Sequence, residues 1–450
     1  MNGNEFLGAI RKNTYLHAAG VHVLEGIQFE DDVLIEDERF DEQIIFQGCF
    51  FKNIKIENCE FKKSLGFANG SLQCIDVNGS TCLGTFFINI WSQIDTVRIA
   101  NSNFNHLSLT GGNNLVLNNI KGDVSVGTSP NNIIKTLIIA GPLTGSLNIT
   151  SESNIGGDID KPYWNSIESI EVRKPIVGDV FIHRTELNEI KFRTVFKECS
   201  CRIDNVKLNS LKFIDFDNFS DGGISLSRIQ PYGRGSCLAI VSSNMGKSYF
   251  RSCNLDEFSE IVFYDSELGQ CISTNTIWPK KIKVEENRSF SAIVPDLSDK
   301  DSVCRQLIYY YRSIVNILDR SGDRSQMLEF KQLELDRVLE DIDFQKNNLK
   351  TISLWASKYT SEHGTNWLKP IIWWLLAEFI VICFLHSYTD GQITLSGYFH
   401  LLNPAHNLEH VCGKVCLSSN PILVPFFDFV SRVLGGYFIY QIVRSFRMFG

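Results

Sequence analysis

The chain has 450 residues, 44% of them apolar, and a formal charge of -8 at neutral pH. That length supports two or three domains with sizeable cores, and an acidic balance supplies no basic field for a nucleic-acid backbone, so DNA and RNA are excluded as expected partners. The 13 cysteines are odd in number and scattered, and Cys49, Cys59, Cys74 and Cys201 sit in apolar, strand-like contexts; buried free thiols in a reducing compartment fit better than a disulfide framework.

The first twenty residues hold a short apolar run followed by Arg11 and Lys12, the reverse of a secretory signal. The N-terminal part is therefore expected in the cytoplasm. From about 29 to 283, pairs of apolar residues split by one polar residue recur at short intervals. In GCFFKNIKIENCEFKKS (48–64), Cys49, Ile54 and Cys59 fall five apart, as do Phe51, Ile56 and Phe61. Two inward residues per five-residue side, one small and one large, suit a four-sided β-helix. Beyond it the pairs Leu107/Leu109, Leu115/Leu117, Val124/Val126, Leu137/Ile139 and Leu147/Ile149, continuing to Leu211/Phe213, recur about every ten residues with Asn and Gly between them. Turns joining stacked strands have that composition. Ten-residue spacing also suits an antiparallel sandwich, but Asn-Gly hairpin signals are scarce, which favours a parallel solenoid whose coils bury one another.

Two motifs inside this region have bland explanations. SSNMGKS (242–248) ends like a phosphate-binding loop but lacks the first glycine, since Val241 stands there. DFDNFSDGG (215–223) offers Asp215, Asp217 and Asp221, yet Leu226 occupies the position where a calcium loop needs its glutamate. Neither motif implies a cofactor, and no isolated pair of carboxylates marks a solenoid glycosidase or lyase.

At 302–350 the apolar period changes from two to about 3.6, so helices begin. Leu307, Tyr310, Tyr311, Ile314, Ile317 and Leu318 line one face of the first; Ser321-Gly322-Asp323 ends it, with Asp323 as N-cap of a second. A third segment places Leu349, Ile352, Trp355 and Tyr359 at helical spacing, with Gly364 as its C-terminal cap, and is expected to lie at a membrane surface.

The stretches 367–388 and 421–443 are each long enough to cross a hydrocarbon core of about 30 Å at about 1.5 Å per helical residue. Aromatic residues near their ends, Trp367, Trp373, Trp374, Tyr388, Tyr437 and Tyr440, resemble interfacial belts. Lys350, Lys358 and Lys369 precede the first stretch and Arg444 and Arg447 follow the second, while Lys414 is alone between them, so both termini are expected in the cytoplasm. Three charges lie inside: Glu378 about 12 Å into the first, Arg432 about 16 Å from the cytoplasmic end of the second, and Asp428 one turn from Arg432. An ionised group in hydrocarbon persists only when paired or wetted, so Glu378, Asp428 and Arg432 are the candidate intramembrane network. It either lines a pore or locks an interface. Gly435 and Gly436 permit close helix approach on either reading. In the loop, His406, His410, Cys412 and Cys416 have no standard zinc spacing; Cys412 with Cys416 is the candidate disulfide.

The 48–64 stretch resembles the pentapeptide-repeat family. With SGDRSQMLEFKQLELDR (321–337), LWASKYTSEHGTNWLKP (354–370) and IYQIVRSFRMFG (439–450), the whole arrangement resembles a group of bacterial pentapeptide-repeat membrane proteins, some ending in a pair of spans similar to two-helix ion channels. The resemblance implies the bacterial inner membrane, a homo-oligomer and a pore or plug. TLSGYFH (394–400) departs from a potassium filter, lacking the two glycines that bracket its tyrosine.

The expected organisation is thus a right-handed parallel β-solenoid over 1–294, a helical hairpin over 295–350, an interfacial helix over 351–366 and two transmembrane helices over 367–450. The expected function is non-enzymatic: a cytoplasmic solenoid that binds a protein partner, joined to spans that oligomerise in the lipid bilayer and perturb it or conduct ions, as in a bacterial stress or defence effector. A passive tethered scaffold is the rival, and a solenoid carbohydrate-active enzyme a more distant one.

Overall fold

A computed structural model of the chain describes residues 15–17, 21–29, 31–89, 94–110, 112–128, 134–151, 165–174, 176–183, 185–196, 200–219, 223–231, 235–282, 300–341, 348–388, 395–405, 411 and 422–449. The chain divides into two compact units, Met1–Asp299 and Lys300–Gly450.

The first unit is a parallel β-solenoid of about ten coils. One column shows why. Val33, Ile54, Ile75, Val97, Leu115, Leu137, Ile170, Ile190, Leu211, Leu238 and Ile261 succeed one another as direct parallel partners, none more than 5% exposed. Parallel pairing places like on like, so an apolar residue at each inward position builds a continuous core, and each coil is buried only by its neighbours. The antiparallel sandwich is excluded by these registers.

In the early coils four columns run side by side: Phe29–Phe51–Leu72, Val33–Ile54–Ile75, Phe40–Phe61–Cys82 and Ile44–Leu65–Phe86. One coil therefore carries the chain from residue 33 to residue 54 in four short sides, as the five-residue rhythm predicts. Cys49, Phe51, Ile54, Ile56, Cys59 and Phe61 are all buried, and Phe29 stacks on Phe51 at 4.4 Å between ring centroids. Further along, the column Leu107–Val124–Leu147–Val180–Cys201–Ile224 alternates in sequence with the column through Leu115. The ten-residue step is therefore the distance from one side of a coil to another.

Corners need a left-handed backbone, which Asn and Gly adopt most readily. Asn58, Asn101 and Asn119 have φ of 54°, 50° and 54°, and the amides of the last two bridge coils: Asn101 Nδ2 donates to Asn78 Oδ1 at 3.1 Å and Asn119 Nδ2 to Asn101 Oδ1 at 3.0 Å. The SSNMGKS segment is another corner, since the strand Cys237–Val241 enters it and the strand Tyr249–Arg251 leaves it. A phosphate loop would open a helix there. Burial holds the thiols of Cys49, Cys59, Cys82 and Cys253 above the usual cysteine value and pushes Cys237 up to about 12, with the Glu260 carboxylate adding to the effect. Since the thiolate is the reactive form, alkylation of these cysteines at pH 8 is expected to be at least about tenfold slower in the native chain than after urea denaturation, as mass spectrometry would read.

The second unit is helical: α1 Lys300–Ser321, α2 Arg324–Asp341, α3 Asn348–Ser361, α4 Leu368–Tyr388, α5 Leu395–Leu401 and α6 Leu423–Phe449. Leu307, Tyr310, Tyr311, Ile314, Ile317 and Leu318 are all buried on α1, and α2 packs on it through Leu328 and Phe330. Gly322, at φ +75°, turns the chain, and the Asp323 carboxylate accepts from Gln326 N at 3.1 Å and Gln326 Nε2 at 2.7 Å, which caps α2.

Candidate functional site

α4 and α6 lie antiparallel. The Trp367 ring at the start of α4 stacks near Phe446 at the end of α6, Phe384 stacks on Phe427 at the opposite end, and Glu378 meets Ser431 between them. Both helices are long and apolar enough to cross a membrane, with mean hydropathy of 2.0 over Leu368–Ser387 and 1.2 over Leu423–Arg447.

Their polarity is inverted relative to a water-soluble bundle, which buries apolar groups and exposes charged ones. Outward stand Ile372, Leu376, Phe379 and Ile380 on α4, and Phe426, Phe429, Val433 and Tyr440 on α6. Inward stand Glu378, Ser431, Gln441 and Ser445, all at most 3% exposed, beside the buried Val381, Leu385, Val424 and Phe438. The same inversion continues into α3, whose Thr351, Ser357 and Ser361 are buried while Leu349, Ile352, Trp355 and Tyr359 are exposed. Hydroxyls and an amide join these inner faces: Ser361 Oγ donates to Gln441 Oε1 at 2.9 Å, and Thr360 Oγ1 lies 3.0 Å from Tyr437 OH.

At the centre of the hairpin, ten residues or about 15 Å beyond the start of α4, the Glu378 carboxylate accepts from Ser431 Oγ at 2.7 Å and is fully buried. Asp428 and Arg432 pair along α6, Nε to Oδ2 at 2.9 Å, with the Arg432 side chain 37% exposed. The three charges expected from the sequence thus share one level of the hairpin, and Ser431 joins them as the hydroxyl partner of Glu378. One turn before Glu378, the Trp374 indole Nε1 is buried with no acceptor among the described residues. Gly435 lies on the packed side of α6 at this level. A Cβ there would sit 3.6 Å from Trp374 Nε1, 3.8 Å from Glu378 Oε1 and 3.4 Å from Pro404 Cβ, whereas one at Gly436 would meet nothing within 4 Å. The two glycines therefore do different jobs. Gly435→Leu is expected to cost the hairpin about 2 kcal/mol by overpacking, while Gly436→Leu stays neutral or gains up to about 1 kcal/mol from helix propensity; thermal melting in detergent separates them.

Pro404 belongs to a limb between the two long helices that returns toward the middle of the hairpin. Tyr398 OH donates to the carbonyl of Leu375 at 3.1 Å, and Leu375 lies 13 residues, about 20 Å, back from the end of α4 at Tyr388. Leu401 and Val411 complete a buried cluster with Val381, Leu385 and Val424. The TLSGYFH segment thus includes a short helix, α5, beside α4. Cys412, Cys416, His406 and His410 lie outside the described residues.

The chain matches no known protein family, no curated protein and no solved structure. Its likeness to pentapeptide-repeat proteins rests on the four-column coil, and its site on the hairpin geometry. Sequence reasoning missed Ser431, Tyr398 and Pro404, and it assigned Trp374 to an interfacial belt, whereas its indole nitrogen is buried one turn from Glu378 because it faces Gly435 of α6. A signal for the first was present: Ser431, Gly435, Phe438, Gln441 and Ser445 recur every three or four residues on α6 and are small, polar or aromatic, a stripe that marks an inner face in lipid. Tyr398 and Pro404 carried no such period.

Proposed function

We propose that the chain is a bacterial inner-membrane protein of the pentapeptide-repeat type, in which α4 and α6 span the bilayer and the solenoid is a cytoplasmic partner-binding module. The inverted polarity of the helical unit carries this reading. A hairpin that buries Glu378, Ser431 and Gln441 while presenting Phe379, Phe426 and Phe429 outward suits hydrocarbon, where backbone and polar groups must be satisfied inside the protein. α3 then lies in the interface with Trp355 and Tyr359 toward lipid, where amphipathic rings are at home.

A limb that re-enters to mid-depth beside a carboxylate favours a conducting element over a bare anchor. Irregular backbone at that depth is tolerated where protein or a water-filled cavity surrounds it. In this reading copies assemble through the open face of α6 around Gly436, the limbs line a polar path whose field the buried Glu378 sets from inside the hairpin, and the solenoid's protein ligand raises conduction above a basal level. No step of bond-making chemistry is involved.

The full chain is expected to remain with membranes after alkaline carbonate washing and to enter solution only with detergent; recovery in the soluble fraction without detergent would contradict the reading. Gly436→Leu is expected to lower the oligomeric mass in detergent while leaving the melting temperature of the protomer in place. An unchanged mass would remove Gly436 from the interface.

A further inference from the structure

Between α3 and α4 the chain makes a tight turn, Glu362–Gly364, in which three successive residues have left-handed backbone: φ is 49° at Glu362, 61° at His363 and 90° at Gly364. For the two non-glycine residues such a conformation is strained and persists only where the surroundings impose it. What imposes it is a set of contacts from every neighbouring helix. From α2, Asp336 Oδ1 lies 3.3 Å from His363 Nε2, and Gln332 accepts from Thr365 Oγ1 at 3.5 Å. From α3, Lys358 Nζ pairs with the same Asp336 oxygen at 2.9 Å. From α6, the Arg444 side chain packs against Gly364, its Nε 3.4 Å from where a Cβ would be. At the start of α4, Lys369 pairs with Glu362.

The His363 ring is 1% exposed, and its Nδ1 is buried with no hydrogen-bond partner among the described residues. Because the Asp336 carboxylate only accepts, Nε2 carries the proton in the neutral ring and Nδ1 is a bare acceptor. A second proton at Nδ1 would find no acceptor and would place an imidazolium close to Lys358 and Arg444. Among the described residues Asp336 is the one anion paired with the ring, and Lys358 already shares that charge. We propose that His363, Asp336 and the left-handed turn form an acid-released latch that ties the α1–α2 hairpin to the cytoplasmic base of α4 and α6. The inference supplies a trigger for the membrane unit proposed above and rests on that reading for its consequence; its contacts lie entirely within the helical unit.

Burial first, then Lys358 and Arg444, hold the His363 imidazole below its usual range, against the opposing pull of Asp336. The loosened turn, with an ordinary imidazole, binds the extra proton more readily than the closed one. Latch stability is therefore complete above about pH 6.5 and falls as the pH drops below that value.

The test is amide hydrogen exchange on the full chain in detergent at pH 7.5 and 5.5, with rates normalised to intrinsic exchange at each pH. Peptides covering 332–341 and 361–366 are expected to lose protection at the lower pH, by up to about tenfold per pH unit across the window, while those from the α1 core around Ile314 keep it. His363→Gln retains an amide donor toward Asp336 and is expected to abolish the response. Where that variant fails to close the turn at either pH, two charge variants decide. Asp336→Asn removes the anion that lets the closed turn accept a proton, widens its difference from the open turn and moves the midpoint of opening to higher pH; Lys358→Met removes a cation that opposes protonation of the closed turn, narrows that difference and moves the midpoint to lower pH. Equal protection of the parent at both pH values, or a midpoint indifferent to both charge variants, would overturn the latch. Exchange is read at the turn, so that outcome leaves the membrane reading standing or falling on its own test.

Discussion

Gly145→Ala is expected to destabilise the solenoid by about 3 kcal/mol or more. Gly122, Gly145 and Gly178 occupy the same corner of three successive coils, with φ of 121°, 135° and 134°. The strands just before them are in register, Lys121 with Thr144 and Thr144 with Val177. A Cβ on each would fall onto the backbone of the coil before it: 1.7 Å from Phe104 O for Gly122, 2.3 Å from Gly122 O for Gly145, and 2.2 Å from Gly145 O for Gly178. Two costs therefore add, a backbone conformation that L-residues rarely adopt and a carbonyl that cannot move without opening the ladder above and below. Gly26 separates them. It has φ of 67° but nothing within 4 Å of a Cβ, so Gly26→Ala pays only the conformational term, about 1–2 kcal/mol. Urea titrations followed by far-ultraviolet circular dichroism should place Gly145→Ala well below Gly26→Ala. Equal midpoints would mean that the coils slide to accommodate the methyl group.

The second large effect belongs to Glu378. Glu378→Ala removes the acceptor of a fully buried hydroxyl bond and leaves Ser431 without it, at an expected cost of about 1–3 kcal/mol to the hairpin. Glu378→Gln keeps a carbonyl for Ser431 and removes only the charge, so the fold is expected to survive. If the carboxylate attracts cations to mid-depth, conduction falls at least about tenfold in both variants, corresponding to a loss of about 1.4 kcal/mol in the barrier that the charge lowers. If the carboxylate only holds α4 to α6, Glu378→Gln behaves like the parent in every assay.

Much of the fold was legible because its signals are periodic. The five-residue steps through Cys49, Ile54 and Cys59 are literal positions in the coil, and the alternating pairs from Leu107 to Phe213 are its inward residues. The face of α1 and the Asp323 cap follow from local rules that tertiary packing did not override. The glycine corner was hidden for a physical reason. Its members are 23 and then 33 residues apart (145 minus 122, 178 minus 145), so no fixed period marks them. In the hairpin, Glu378, Asp428 and Arg432 stood out because charge in an apolar run is costly. Ser431 did not, since a hydroxyl is cheap to bury in a helix, and Tyr398 and Pro404 contribute through contacts that depend on how the chain between the two long helices returns. His363 was equally silent: it sits in a polar stretch, and only its burial against Asp336 sets it apart.

The central claim is that the helical unit is a conducting membrane element whose flux depends on a mid-depth carboxylate. Ion flux through lipid vesicles containing the purified full chain tests it most directly, with Glu378→Gln as the paired sample. The account predicts release of a trapped cation above the level of empty vesicles, reduced at least about tenfold by the substitution. Flux equal to empty vesicles for the parent, or equal flux for parent and Glu378→Gln, would contradict it and leave a passive anchor.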